Sequence, residues 1–89
     1  MSQTPIIGQI VHYELTDYDA NIIRRQHASS RLNMPQAGDV YPAIIVRVWS
    51  ETCVNLRVVL DGTVDYWVTS RNLRTVPPGD DPQTAGHWF

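Results

Sequence analysis

Between residues 39 and 70 the apolar side chains recur at every second position, and two short turn signals break the run. Period-two alternation is the mark of half-buried strands, so this stretch predicts a three-stranded antiparallel meander. In the strand over residues 40 to 49, Val40, Pro42, Ile44, Val46 and Val48 alternate with Tyr41, Ala43, Ile45, Arg47 and Trp49. The first set is expected to face the core, because Arg47 on the other set requires water. In the next two strands Val54, Leu56, Val58 and Leu60, then Val64, Tyr66 and Val68, are the core-facing sets. Parity rules out a two-residue Asp61-Gly62 turn, which would set Val58 beside Asp65. A three-residue loop remains, either 61 to 63 with Arg57 opposite Trp67, or 60 to 62 with Arg57 opposite Asp65. Both place Asn55, Arg57, Trp67 and Thr69 on one outer face.

The remaining chain supplies the decoration. Residues 7 to 15 read as a first strand entered through Gly8. Thr16 stands three residues before Asp19 in a helix-capping arrangement, which predicts a short helix over 17 to 27. Small and breaker residues from 27 to 38 predict a long loop back to the sheet. Ser70 to Leu73 resembles one helical turn. Residues 75 to 85, rich in Pro, Gly and Asp, predict a surface segment, and residues 86 to 89 end the chain on Trp88 and Phe89, too apolar to be left in water. These four are expected to dock as a last short strand or a plug. The layout is that of a mainly β protein, an SH3-like small five-stranded barrel with one short helix in its first long loop, forming a single domain over 1–89. An OB-type barrel is the alternative, and it would want a helix between its third and fourth strands.

At 89 residues the chain can bury roughly 60 to 65% of its unfolded surface around one core. Cys53 is the lone cysteine, so no internal disulfide forms and a reducing interior fits. Neither a secretory signal nor a membrane span is expected. A net charge of −2 argues against coating duplex DNA. All seven basic residues are arginine, which fits either a GC-rich genome or a demand for planar, forked donors toward phosphate, carboxylate or rings.

Chemistry-bearing patterns are few. His12, His27 and His87 lack metal-ligand spacing, so neither metal nor cofactor is expected. Ser29 and Ser30 near His27 lack the elbow and oriented acid of a nucleophile site, and no enzyme is read here. Three Trp and four Tyr exceed what a core of this size needs. Trp67, with Asn55, Arg57 and Thr69 around it, forms a face on which a base or ring could stack, and Arg24 and Arg25 would be carried over the barrel to contact phosphate. Trp88 joins the set from the terminus.

The pieces VHYEL (11 to 15), DANIIRR (19 to 25), PAIIVRVWSETCVNLRVVLDGT (42 to 63), DYWVTS (65 to 70) and the terminal His87-Trp88 span most of the chain. In that combination the sequence resembles a group of short proteins of tailed bacteriophages infecting actinobacteria. It departs from them at Gln26, where they carry a third Arg, in a shorter loop over 26 to 38, and in its Gly86-His87-Trp88-Phe89 ending. The resemblance implies an SH3-like protein made in the cytoplasm of the infected bacterial host, and brings no activity with it.

Two functions follow as expectations. The first is a phage-encoded binding module that sequesters a small nucleotide-type signal of host antiviral defence. A barrel this small seldom encloses a pocket alone, so this reading expects a homo-oligomer with sites between protomers. The alternative is a protein-interaction or virion-associated module that binds a host or phage protein.

Overall fold

The computed structural model describes residues 4–74 and 85–89. Most of the expected surface segment over 75 to 85 therefore lies outside the described residues. The fold is mainly β: strands β1 (Ile10–Glu14), β2 (Val40–Val48), β3 (Cys53–Val59) and β4 (Asp65–Asn72), with one helix, α1 (Asp17–Gln26), between β1 and β2. All neighbours are antiparallel, and the order β1-β2-β3-β4 makes one sheet that is not closed. β1 is shorter than the run over 7 to 15, because Gly8 takes a positive φ of 95° and turns the entering chain.

The helix begins where the capping pattern predicts. The Thr16 hydroxyl accepts from Asp19 N at 3.0 Å while Thr16 N donates to the Asp19 carboxylate at 3.1 Å, a reciprocal capping box. Ala20 and Ile23 are buried, and Ile23 joins the inward side chains of the sheet in one core with Tyr13, Leu15, Val54, Leu56, Val58, Tyr66, Val68 and Trp88.

β2 corrects the expected parity. Ala43 and Ile45 are the buried residues, whereas Val40, Pro42 and Val46 are exposed and Ile44 is half-buried. Arg47 is exposed as its charge requires, but a bulge between Ile45 and Arg47 inserts one residue and reverses the alternation. Inferring the early half of the strand from Arg47 therefore inverted it. The β3–β4 register is the one with Arg57 opposite Trp67. Here too an irregularity intervenes, where Val54 and Leu56 pair with Arg71 and Val68, and Asn55 between them keeps to the outer side but is buried beneath Trp49 and Thr69.

No helical turn forms at Ser70 to Leu73. β4 continues to Asn72, because the backbone there is bonded to other strands and to the terminus: Leu73 N donates to Thr52 O at 2.8 Å and Trp88 N to Asn72 O at 3.2 Å. The terminal residues dock as expected. His12 and Phe89 exchange both backbone bonds, at 2.9 and 3.0 Å, and Arg74 N donates to Trp88 O at 2.8 Å, so the terminus bridges β1 and the stretch after β4. Trp88 is only 5% exposed.

The long loop returns past the β3–β4 connection, where Leu32 bridges Gly62. A Cβ on Gly62 would overlap the Leu32 side chain and the Arg31 carbonyl, so glycine is required by close approach.

Candidate functional site

Two polar constellations occupy opposite faces of the sheet. On the covered face, Asp19 is fully buried and its carboxylate accepts from the hydroxyls of Tyr13 at 2.7 Å and Tyr66 at 2.8 Å, besides capping α1. The Arg71 guanidinium lies 3.7 Å from the same carboxylate and donates through Nε to the Tyr13 hydroxyl at 3.0 Å. Strand periodicity explains who is present: Tyr13 and Tyr66 point inward, and the irregularity at Ser70, with φ 56°, brings Arg71 to the same side. Burial first, then the hydrogen bond to Asp19, pushes both phenols well above their ordinary range. A carboxylate so surrounded by donors has little capacity left for a substrate. The group locks α1 to the sheet.

The other face is built on Asn55. Its side-chain oxygen accepts from the Trp49 indole N–H at 2.8 Å, the Thr69 hydroxyl at 2.9 Å and Ser70 N at 2.7 Å. Asn55 thus fastens both neighbouring strands at the level of their irregularities. Above it Trp49 remains 53% exposed, with the Arg47 guanidinium 4.2 Å from its ring centroid. Trp67 is 54% exposed and faces Arg57 across the β3–β4 pair, while Arg57 forms an ion pair with Asp65 at 2.9 Å. The register continues that row through Ile44 to Ile10 across all four strands. Exposed Val46 and Val59 add apolar area.

The structure thus brings three of the expected residues, Arg57, Trp67 and Thr69, to one surface, with Asn55 as its buried support. It does not bring Trp88 there: that indole lies in the core and donates to Thr52 O and Arg71 O, both at 3.1 Å. Nor do Arg24 and Arg25 reach this face. They lie in the last turn of α1, exposed and directed to Asn21, and α1 covers the side of the sheet opposite Trp67. Sequence reasoning passed over Arg47 and Trp49 as site residues, although their two-residue spacing on a strand had already put them side by side.

At the loop end of the β3–β4 hairpin lies a concavity of about 490 Å³ lined by His27, Val59, Leu60, Gly62, Thr63, Val64 and Asp65. It is open to solvent and holds both a carboxylate and an imidazole. Among the described residues no group of His, Cys, Asp and Glu is placed to hold a metal ion, and no helix is long and apolar enough to cross a membrane. Comparison with protein-family models, with curated proteins and with solved structures found no match to this chain.

Proposed function

We propose that the chain is a non-catalytic interaction module that engages a protein through the uncovered face of its sheet. One observation carries the reading: two Arg–Trp pairs, Arg47 with Trp49 and Arg57 with Trp67, stand on one exposed apolar face braced from below by Asn55. Trp and Arg dominate the energetics of protein interfaces, because each covers a large area while keeping a polar handle. The resemblance to phage proteins supports a phage-encoded module working in the cytoplasm of the infected host. We read the fold as SH3-like, with residues 86 to 89 acting as the fifth strand through their backbone bonds to β1 and to residues 72 to 74.

The nucleotide-sequestering function is the second reading. Trp67 as a stacking platform supports it, but the phosphate contacts assigned to Arg24 and Arg25 lie on the other side of the protomer. A nucleotide held by both therefore needs two copies arranged head to tail.

The test is a pull-down from host lysate with the wild-type chain, Trp67→Ala, and the pair Arg24→Ala/Arg25→Ala, run beside a thermal-shift screen of linear and cyclic nucleotides. Loss of a captured protein with Trp67→Ala but not with the arginine pair supports the protein-binding reading. A nucleotide that stabilises the fold by about 2.7 kcal/mol at a hundred times its dissociation constant, and needs Arg24 and Arg25 to do so, overturns it in favour of the second.

A further inference from the structure

The two edges of the sheet are treated differently. β1 has its outer edge covered by the chain's own terminus, through the paired bonds of His12 with Phe89 and the bond from Gly86 N to Glu14 O at 2.8 Å. β4 is last in the strand order, and among the described residues it pairs with β3 alone from Asp65 to Thr69, the terminal Trp88 reaching only Arg71 and Asn72 at its end. Proteins usually blunt such an edge with lysine, proline or a bulge. From Asp65 to Thr69 β4 has neither lysine nor proline, and its irregularity comes only afterwards, at Ser70.

We propose that β4 pairs antiparallel with β4 of a second copy about a two-fold axis through Trp67, joining two four-stranded sheets into one. Antiparallel neighbours share a face, so inward Tyr66 and Val68 must meet inward residues and outward Asp65, Trp67 and Thr69 must meet outward ones. A two-fold centred on any residue satisfies this, because each residue then meets one of its own parity, and a centre at Trp67 alone keeps the pairing within the five straight residues. Trp67 meets Trp67 of the second copy, Tyr66 meets Val68, and Asp65 meets the uncharged Thr69, so no like charges are opposed. Centring on Val68 instead would carry the pairing into the Ser70 kink, and centring on Tyr66 would carry it into the loop before Asp65. A two-fold contact of this kind closes on itself and stops at the dimer.

The pairing deepens the proposed function, since it sets the Trp67 and Arg57 groups of both copies side by side on one continuous outer face. It rests on that reading only for the use made of the combined surface.

Sedimentation velocity over a concentration series up to the high micromolar range tests the pairing, together with air oxidation of Cys53→Ser chains carrying a single new cysteine. Wild type is expected to dimerise. Trp67→Lys, at an exposed position, should weaken the dimer by about tenfold or more while the circular dichroism stays unchanged. Trp67→Cys should cross-link with its own copy, because directly opposed Cβ atoms lie about 4.5–5.5 Å apart, and Thr69→Cys should not, because it faces residue 65. A wild type that remains monomeric, a dimer indifferent to Trp67→Lys, or equal cross-linking at 67 and 69 would overturn the proposal. A monomer that still captures its protein through Trp67 removes the dimer alone, whereas a β4 dimer that captures nothing removes the protein-binding reading alone.

Discussion

Asp19 with Arg71, and Asp65 with Arg57, are the same two residue types set beside aromatic side chains on opposite sides of one sheet. Asp19 is sealed from water, and two phenols, a backbone amide and a guanidinium surround its carboxylate. Asp65 and Arg57 each keep about half of their side-chain surface in solvent, at 45% and 50%. The first group holds the helix to the sheet, because breaking it strands buried polar atoms. The second contributes little to stability, because water and salt screen it, and its side chains remain available to a partner. Composition alone does not separate structural from presented residues. Burial does.

The contrast breaks most visibly at Asp19. Asp19→Ala should destabilise the fold by about 3–5 kcal/mol, since it removes the helix cap and leaves both phenols and Arg71 without their acceptor. Denaturant titration measures this, and a loss below the level of an ordinary surface change would show that the buried group is not what locks α1 in place.

Alkaline titration addresses the same side. The raised Tyr13 and Tyr66 hold their protons in the folded chain after the unfolded chain has released them. Their contribution is therefore complete below about pH 10 and is lost as pH rises through the folded values, at about 1.4 kcal/mol per pH unit for each phenol. Tyr41, raised by burial and by Asp39, adds to the slope. The double variant Tyr13→Phe/Tyr66→Phe should flatten the alkaline limb of a plot of stability against pH, and an unaltered limb would remove these phenols as its cause.

Asn55→Ala sharpens the outer side. It deprives the Trp49 indole, the Thr69 hydroxyl and Ser70 N of one shared acceptor, for an expected loss of about 1–3 kcal/mol. Trp49 should then change its fluorescence and quenching, because its ring is no longer anchored. A smaller effect is expected at Arg57→Ala, which should change stability by less than about 1 kcal/mol yet weaken partner capture. A larger loss of stability would move Arg57 to the structural side of the comparison.

Much of the frame was legible in advance. The Thr16–Asp19 spacing located the start of α1, because a capping box is read from four residues with no tertiary information. The alternation from Val54 to Val68 identified the inward residues of β3 and β4, and parity narrowed their connection to the two registers of which one is observed. The apolar ending announced that residues 86 to 89 would dock, as Trp88 does. In the candidate site, Arg57, Trp67 and Thr69 were assigned to the outer face from the same alternation.

What the letters left open are the places where period two fails. The bulge at Val46 and the irregularity beside Asn55 carry no unambiguous local signature, since each arises from the pairing of one strand with another; the first inverted the inward set of early β2, and at the second Asn55 kept its side but became buried. For the same reason Asp19 was read as a cap alone: its bonds to Tyr66 and Arg71 span 47 and 52 positions of sequence and exist only once the helix lies on the sheet. Local spacing determined the strands, the helix and the docked end. Long-range packing decided which of the arginines, tryptophans and carboxylates became structure and which remained exposed, because solvent exposure belongs to the assembled sheet and not to any one segment.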